Sequence, residues 1–234
     1  DRIPVRFYLN DPWFVTNPWY DYYGREPFDY YVPMAAARLM AGLHEASTDP
    51  PPRWYKGDLH LHSVHSDGEN LIPDLTAAAR ARGLDFLTLT DHNTVAQNSH
   101  LPAASAAHVL LIPGEEITTY YGHANVWGIR QWVDFRGRSS ADLASAAAEA
   151  HRQGALISVN HPKLEGPEWE LPTDFEFDAV EAWQSHWWVS NYQSLAWWDR
   201  RLRAGRRLSA VGGSDLHRLG TAERPAPYEL GTPC

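Results

Sequence analysis

Two histidines separated by one residue stand at the end of an apolar segment, in the stretch Asp58–His62. Side chains alternate in direction along a strand, so His60 and His62 point the same way and form a chelate for a divalent cation. Asp67 follows in a short loop that Gly68 allows to turn sharply. A single His-x-His among 12 histidines is equally compatible with a structural role, so its assignment as a metal site depends on the other residues of the chain.

Further imidazoles and carboxylates lie at the boundaries of apolar segments that we predict to be strands. They are Asp91 and His92, Glu115 and Glu116, His123, His161, and Asp215 with His217. Functional residues of barrels with parallel strands gather at the carboxyl ends of those strands. Random placement would scatter these side chains over both ends, so the pattern indicates a shared site at one rim.

The elements that must position these residues are seven short strands that alternate with helices. The predicted strands are Trp54–His62, Phe86–Thr90, Val109–Pro113, Ala124–Ile129, Ala155–Asn160, Ala179–Trp183 and Leu208–Gly212. The predicted helices are Leu71–Arg82, Ser140–Gln153 and Asn191–Ala204. Repeated strand–helix units predict an α/β fold with a parallel sheet, either a closed or nearly closed barrel or, as the second choice, a doubly wound open sheet. The chain has no dinucleotide-binding glycine fingerprint and no phosphate loop.

Residues 1–53 differ in composition, because prolines and aromatic rings recur too closely for a long helix. We predict a short helix at Met34–Ala46 and a stiff linker at Asp49–Pro52. The aromatic-rich extension 1–53 would then precede a main domain 54–234. Its rings either cover the outside of the main domain or form a lid over a substrate pocket.

Composition excludes several classes of protein. The chain of 234 residues has 44% apolar and 21% charged residues, typical of a globular protein, and has no apolar run of 18 residues that would span a membrane. A formal net charge of -9 argues against nucleic acid as a partner. Cys234 is the single cysteine, which excludes internal disulfides and cysteine-rich zinc motifs. We expect a small-molecule substrate. A start at Asp1 and an end without a closing element predict trimmed termini, and neither the compartment nor the oligomeric state can be predicted.

The spacing of the candidate ligands resembles the PHP (polymerase and histidinol phosphatase) family of metal-dependent hydrolases. The motifs His-x-His with Ser-Asp-Gly, Thr-Asp-His, Gly-x-Glu, Asn-His-Pro and Gly-Ser-Asp-x-His occur in that family's order over residues 54–220. The segments 54–58, 180–183, 198–199 and 210–214 resemble more narrowly the CehA/McbA branch, which includes carbamate hydrolases.

The resemblance implies a distorted seven-stranded (β/α) barrel with up to three divalent metal ions. The implied ligands are His60, His62, Glu116 and Asp215 for the first metal, Glu116, His123 and His161 for the second, and Asp67, His92 and His217 for the third. Glu116 is chosen over Glu115 because it aligns with the family's Gly-x-Glu-Ile. His65 is a minor alternative to Asp67, and we expect Asp58 to hydrogen-bond a ligand ring. The ligand chemistry suits Zn, Mn or Fe.

The resemblance also implies a hydrolase that uses a metal-bound hydroxide, with Glu116, Asp215 and His217 as catalytic residues. We predict a phosphoesterase in which Lys163 and Arg218 bind the phosphate oxygens, unless both are solvated loop charges. The alternatives are an aryl carbamate or ester hydrolase with an apolar slot built around Trp187 and Trp188, an amidohydrolase-type barrel, and a metal-binding module without turnover.

Overall fold

The computed structural model describes residues 3–6, 29–32, 54–104, 109–134, 136–164, 168–225 and 229–231. The chain divides into two compact units, one made of residues 1–54 with the last residue and the other of residues 55–233. The predicted aromatic lid, the predicted helix Met34–Ala46 and the predicted linker Asp49–Pro52 lie outside the described residues.

Two short strands are the described part of the first unit, β1 (Ile3–Arg6) and β2 (Asp29–Val32). They pair antiparallel, with Ile3 opposite Val32 and Arg6 opposite Asp29. A pair of four-residue strands is marginally stable in isolation. The predicted boundary of the extension at residue 53 and its predicted role as a cover or a lid stay predictions.

The second unit is built on one seven-stranded sheet whose strands follow each other in chain order. They are β3 (Gly57–Leu61), β4 (Phe86–Leu89), β5 (Leu110–Thr119), β6 (Gly122–Trp127), β7 (Leu156–Asn160), β8 (Ala179–Gln184) and β9 (Ser209–Gly213). The segment after β9 returns to β3, because the amide of His62 donates to the Leu216 carbonyl (2.9 Å) and that of Asp215 to the His60 carbonyl (2.8 Å). The predicted seven-stranded α/β barrel is confirmed.

One strand runs against the others. β3, β4 and β5 pair parallel, as do β7, β8 and β9, but β6 is antiparallel to both β5 and β7. The prediction of a parallel sheet is therefore wrong for β6. Only Tyr120 and Tyr121 separate β5 from β6, and parallel neighbours need a crossover of a dozen residues or more. Because β6 begins where its neighbours end, His123 near its start lies at the same rim as the other candidate ligands.

The helices are α1 (Ile72–Ala81), α2 (Leu101–Ala104), α3 (Ser140–Arg152) and α4 (Asn191–Arg203), with a 3₁₀ segment at Ala96–His100. Two apolar cores hold the helices to the sheet. One joins α1 to β3, β4 and β5 through buried leucines, and the other joins α3 and α4 to β5 through β8. Among the described helices, none has the length and apolar character needed to cross a membrane.

Candidate metal centre

The predicted ligands come from β3, β4, β5, β6, β7 and β9 or from the loops after them. His60 lies in β3 and His62 directly after it, while Glu116 and His123 lie within β5 and β6. His161 follows the last residue of β7. The remaining members, Asp67, His92, Asp215 and His217, lie in loops after β3, β4 and β9.

All nine predicted ligands meet at one rim of the barrel, in overlapping groups whose potential donor atoms lie within 4.8 Å of one another. The groups are His60, His62, Glu116 and Asp215; Glu116, His123 and His161; His62, Asp67, His92 and His217; and His60, His161 and Glu181. The first two have the membership implied by the sequence resemblance. The third adds His62 to the implied set, and the fourth brings in Glu181, which sequence reasoning did not single out as a site residue.

Glu116 is the centre of this arrangement. Its carboxylate oxygens lie 3.2 Å from His60 Nε2, 2.9 Å from His92 Nδ1 and 3.1 Å from His123 Nδ1. His62 Nε2 and His161 Nε2 are each 3.5 Å away. The side-chain amide of Asn160 donates to the same carboxylate at 2.9 Å. One carboxylate therefore faces imidazoles from five different positions in the chain.

The third group forms the open side of the site. The side chains of Asp67 and His217 are 58% and 34% exposed, whereas those of His60 and Glu116 are buried. Asp67 reaches His92 Nε2 at 3.5 Å and His217 Nε2 at 3.4 Å. A molecule from solvent would therefore meet Asp67 and His217 first.

The donor set fits divalent cations. His60 Nε2 and His161 Nδ1 are buried and have no hydrogen-bond partner within the described ranges. His60 Nε2 also lies 3.2 Å from Asp215 Oδ1 without forming a hydrogen bond. Buried polar atoms normally have partners, and exceptions call for an explanation such as an ion. Neutral imidazole nitrogen together with carboxylate oxygen is a ligand set of Zn, Mn and Fe.

The charges of the site are strongly coupled. Burial alone lowers the pKa of His60, but the surrounding carboxylates, Asp215 first, outweigh burial and hold that pKa well above its usual value. Burial favours the neutral forms of Glu116 and Asp215, yet the adjacent imidazoles hold the pKa of each carboxyl well below its usual value. The carboxylates are thus kept ionised, which is the form that binds a cation.

Two of the candidate ligands have left-handed backbone. His161 has φ 25° and Asp215 has φ 53°, and Asn93, next to His92, also has φ 53°. Such conformations cost about 1–3 kcal/mol for residues other than glycine and cluster at functional sites. The fold thus holds His161 and Asp215 in conformations that a free chain avoids.

Residues 58–183 match the PHP domain family, which is more than half of the chain. The chain belongs to this family. A 5'-3' exoribonuclease from Haemophilus influenzae is 42% identical over 65 residues, which cover 27% of this chain and 24% of that protein. The chain thus matches about a quarter of the length of this curated relative.

Two of the solved structures that match this chain are similar to it in fold. A protein assigned as a metal-dependent phosphoesterase from Bifidobacterium adolescentis is 18% identical with a TM-score of 0.51, over 78% of this chain and 94% of that one. PsfC from Pseudomonas syringae is 17% identical with a TM-score of 0.52, over 70% of this chain and 76% of that one. Similarity at this level of identity supports the fold.

Asp58 does not support a ligand ring in this PHP domain, which corrects the sequence prediction. Its Oδ1 accepts hydrogen bonds from the backbone amides of His60 (3.1 Å) and Ser214 (3.0 Å), and its Oδ2 accepts from that of Gly231 (2.7 Å). Asp58 therefore ties β3 to the segment after β9. The ring of His60 is contacted instead by Glu181 of β8, whose Oε1 lies 2.8 Å from His60 Nδ1.

The prediction for Lys163 is also corrected, because its ammonium forms hydrogen bonds within the fold. The residue is 1% exposed, and its Nζ donates to the Val189 carbonyl (2.5 Å) and to Asn191 Oδ1 (3.2 Å). It is neither a solvated loop charge nor placed to bind a substrate phosphate. Arg218 donates to the carbonyls of Arg224 and Pro225, each at 3.0 Å, so its predicted contact with a substrate competes with two internal bonds.

His65, the minor alternative to Asp67, belongs to none of the groups formed by the described side chains. Its ring packs against His100, with the ring centroids 4.7 Å apart. Gly68 was predicted to allow a sharp turn. The structure gives another reason for a glycine there, since a Cβ would collide with the backbone of His62 and Ser63. The loop that carries Asp67 is therefore held directly against the end of β3.

Proposed function

We propose that this chain is a metal-dependent hydrolase of the PHP family that acts on phosphoesters. The observation that carries the proposal is the position of Glu116, whose carboxylate faces His60, His92 and His123 within 3.2 Å in a buried pocket. A carboxylate that faces several imidazoles can share a cation with them, and the orphaned imidazole nitrogens have the lone pairs to bind one.

The proposed site holds up to three divalent cations, Zn, Mn or Fe. His60, His62, Glu116 and Asp215 would hold the first, Glu116, His123 and His161 the second, and Asp67, His92 and His217 the third. Glu116 would be shared by the first two. The trinuclear arrangement is supported by the overlap of the side-chain groups at Glu116 and His62.

The ligands differ in burial across the site, which indicates the side from which substrate would enter. Divalent cations, when bound, acidify a water molecule and offset the negative charge that grows during hydrolysis. Glu116 and Asp215 hold the buried side of the site, and His217 stands at the exposed side. Substrate would therefore approach past Asp67 and His217, with its scissile bond directed at Glu116 and Asp215. Of the predicted catalytic residues, His217 is the one most exposed to solvent.

Phosphoesters are favoured as substrates by two facts. The chain belongs to the PHP domain family, and a partial relative is named for hydrolysis of a phosphodiester polymer. The acidic net charge of -9 favours a small phosphoester over a long nucleic acid.

Two observations favour a second candidate, an aryl carbamate or ester hydrolase of the CehA/McbA kind. The ammonium of Lys163, which would have bound phosphate, is used inside the fold. Just beyond the end of β8, Trp188 is 73% exposed and stacks on His186 with centroids 4.3 Å apart. An exposed ring of this kind could bind the aryl part of a substrate rather than a phosphate.

A substrate screen separates these candidates. Purified protein loaded with Mn or Zn is assayed with p-nitrophenyl phosphate, bis-p-nitrophenyl phosphate and a naphthyl carbamate. We expect the phosphoesters to be hydrolysed fastest, and the Glu116→Gln variant to be inactive on every substrate. Preference for the carbamate would favour the second candidate. Bound metal without turnover of any substrate would favour a metal-binding module.

A further inference from the structure

Strand β8 provides none of the nine predicted ligands, yet two of its polar side chains reach the metal centre. Its pairing with β9 slips by one residue, since Glu181 lies opposite Val211 and Trp183 lies opposite Gly212. This is a β-bulge, and bulges near active sites redirect side chains. On a regular strand, residues three apart point to opposite faces. The extra residue lets both Glu181 and Gln184 face the site.

Glu181 joins two of the predicted ligands. Its Oε1 lies 2.8 Å from His60 Nδ1, and its Oε2 accepts from the His161 backbone amide at 3.1 Å. A carboxylate accepts hydrogen bonds, so it favours the His60 tautomer with the proton on Nδ1. In the neutral ring, which is the form that binds a cation, the lone pair of His60 Nε2 then points toward Glu116 and Asp215. Glu181 thus aims one ring and fixes the backbone that carries another.

Gln184 orients the carboxylate of Asp215, as Glu181 orients the ring of His60. Its Nε2 donates to Asp215 Oδ2 at 2.5 Å. The other oxygen, Oδ1, lies 2.9 Å from His62 Nε2 and 3.2 Å from His60 Nε2. The amide therefore occupies one oxygen of Asp215 and leaves the second one facing the imidazoles. Because Asp215 has a left-handed backbone, its orientation depends on contacts of this kind.

The backbone of Gln184 is itself fixed by Asn191, a buried residue at the start of α4. Asn191 Oδ1 accepts from the Gln184 amide (2.9 Å), and its Nδ2 donates to the Gln184 carbonyl (2.8 Å). Lys163 donates to the same Oδ1 at 3.2 Å. The lysine predicted to bind substrate thus ends a chain of contacts that runs through Asn191 and Gln184 to Asp215.

We propose that the bulged strand β8 supports the metal centre, with Gln184 and Glu181 as positioning residues for Asp215 and for His60 with His161. The proposal rests on the proposed metal centre. Gln184 selects the Asp215 oxygen that is presented to a cation, and Glu181 selects the His60 nitrogen. Partners of metal ligands typically contribute 10- to 100-fold in metal affinity, and we expect each of these residues to lie in that range.

The decisive variant is Gln184→Met, which keeps the length of the side chain and removes the donor to Asp215. Mn²⁺ binding to metal-free protein is measured by calorimetry, the visible spectrum is recorded with Co²⁺, and the thermal midpoint is measured without metal. We expect Mn²⁺ affinity to fall about 10- to 100-fold and the Co²⁺ spectrum to change. The metal-free midpoint should stay at the wild-type value.

Gln184→Glu and Trp183→Phe complete the test. The first keeps the shape of the side chain but places a carboxylate against Asp215, so metal affinity should also fall and the Co²⁺ spectrum should change. The second removes the hydrogen bond from Trp183 Nε1 to the Ser185 carbonyl (2.7 Å) and should leave Mn²⁺ affinity unchanged. Glu181→Gln should weaken Mn²⁺ binding, because an amide cannot accept from both His60 and His161.

Three results would overturn the inference. One is wild-type Mn²⁺ affinity and an unchanged Co²⁺ spectrum in Gln184→Met. Another is a metal-free midpoint that falls in Gln184→Met, with an equal loss of affinity in Trp183→Phe, which would assign β8 a purely structural role. The third is wild-type binding in Glu181→Gln. Failure of the wild-type protein itself to bind Mn²⁺ or Co²⁺ would instead overturn the proposed metal centre.

Discussion

Adjacent glutamates in β5 give the sharpest test at the scale of single residues. Glu116 points into the metal centre, whereas Glu115 is buried elsewhere and its Oε2 accepts from the Val133 amide at 3.2 Å. We predict that Glu116→Gln loses bound metal and hydrolysis, by more than the 10- to 100-fold typical of supporting residues, because an amide nitrogen cannot bind a cation. Metal content by elemental analysis and initial rates on the preferred substrate measure the effect.

Glu115→Gln is the matched control, because it makes the same chemical change one position earlier. Burial raises the pKa of Glu115 to about 7, and a glutamine can still accept the hydrogen bond from Val133. This variant should keep its metal and its activity. Equal losses in the two variants, or an active Glu116→Gln, would remove the central role given to Glu116.

Single residues were predictable where the chemistry was local and not where it depended on long-range contacts. The nine predicted ligands lie at strand ends in recognisable motifs, so their gathering at one rim followed from the order of elements. Nothing in the sequence around Lys163 indicates that its ammonium would hydrogen-bond to Asn191, which comes much later in the chain. Gln184 was missed for a similar reason, because a bulge in the pairing of β8 with β9 turns it toward the site.

At the scale of elements, the seven strands were located correctly but the direction of one was not. β5 was predicted to end at Pro113 and extends to Thr119, while β6 begins at Gly122, earlier than predicted. The predicted gap, residues 114–123, was already shorter than the dozen residues of a parallel crossover, and the observed turn has only two residues. The signal lay in the segment after Pro113, where charged Glu115 and Glu116 interrupt the apolar pattern because Glu116 faces the site.

Helix α3 has a capping box at its start that can be tested. Ser139 accepts from the Asp142 amide, and Asp142 accepts from the Ser139 amide (3.0 Å), which forms a capping box. Ser139→Ala should lower the free energy of unfolding by about 1 kcal/mol, which corresponds to a thermal midpoint about 2–4 °C lower. Ser140→Ala, inside the first turn, is the control and should change the midpoint little. An unchanged midpoint for Ser139→Ala would mean that the capping box does not stabilise α3.

At the scale of the whole molecule, the metal centre couples distant parts of the chain. The candidate ligands run from His60 to His217, and the contact of the His62 amide with Leu216 closes the barrel beside them. The ion pairs of His60 with Glu116 and Asp215 supply partial compensation without a cation. A cation that binds only the folded state must stabilise it further.

Thermal unfolding with and without metal measures this coupling. At a free Mn²⁺ concentration 100 times the dissociation constant, one bound ion adds about 2.7 kcal/mol to the free energy of unfolding. For a chain of this size that corresponds to a midpoint about 5–11 °C higher than in excess chelator. Glu116→Gln should lose most of this difference between its metal-loaded and chelated forms. If the wild-type midpoint does not respond to Mn²⁺ or Zn²⁺, then no cation binds preferentially to the folded barrel, and the convergence on Glu116 is a structural ion-pair network.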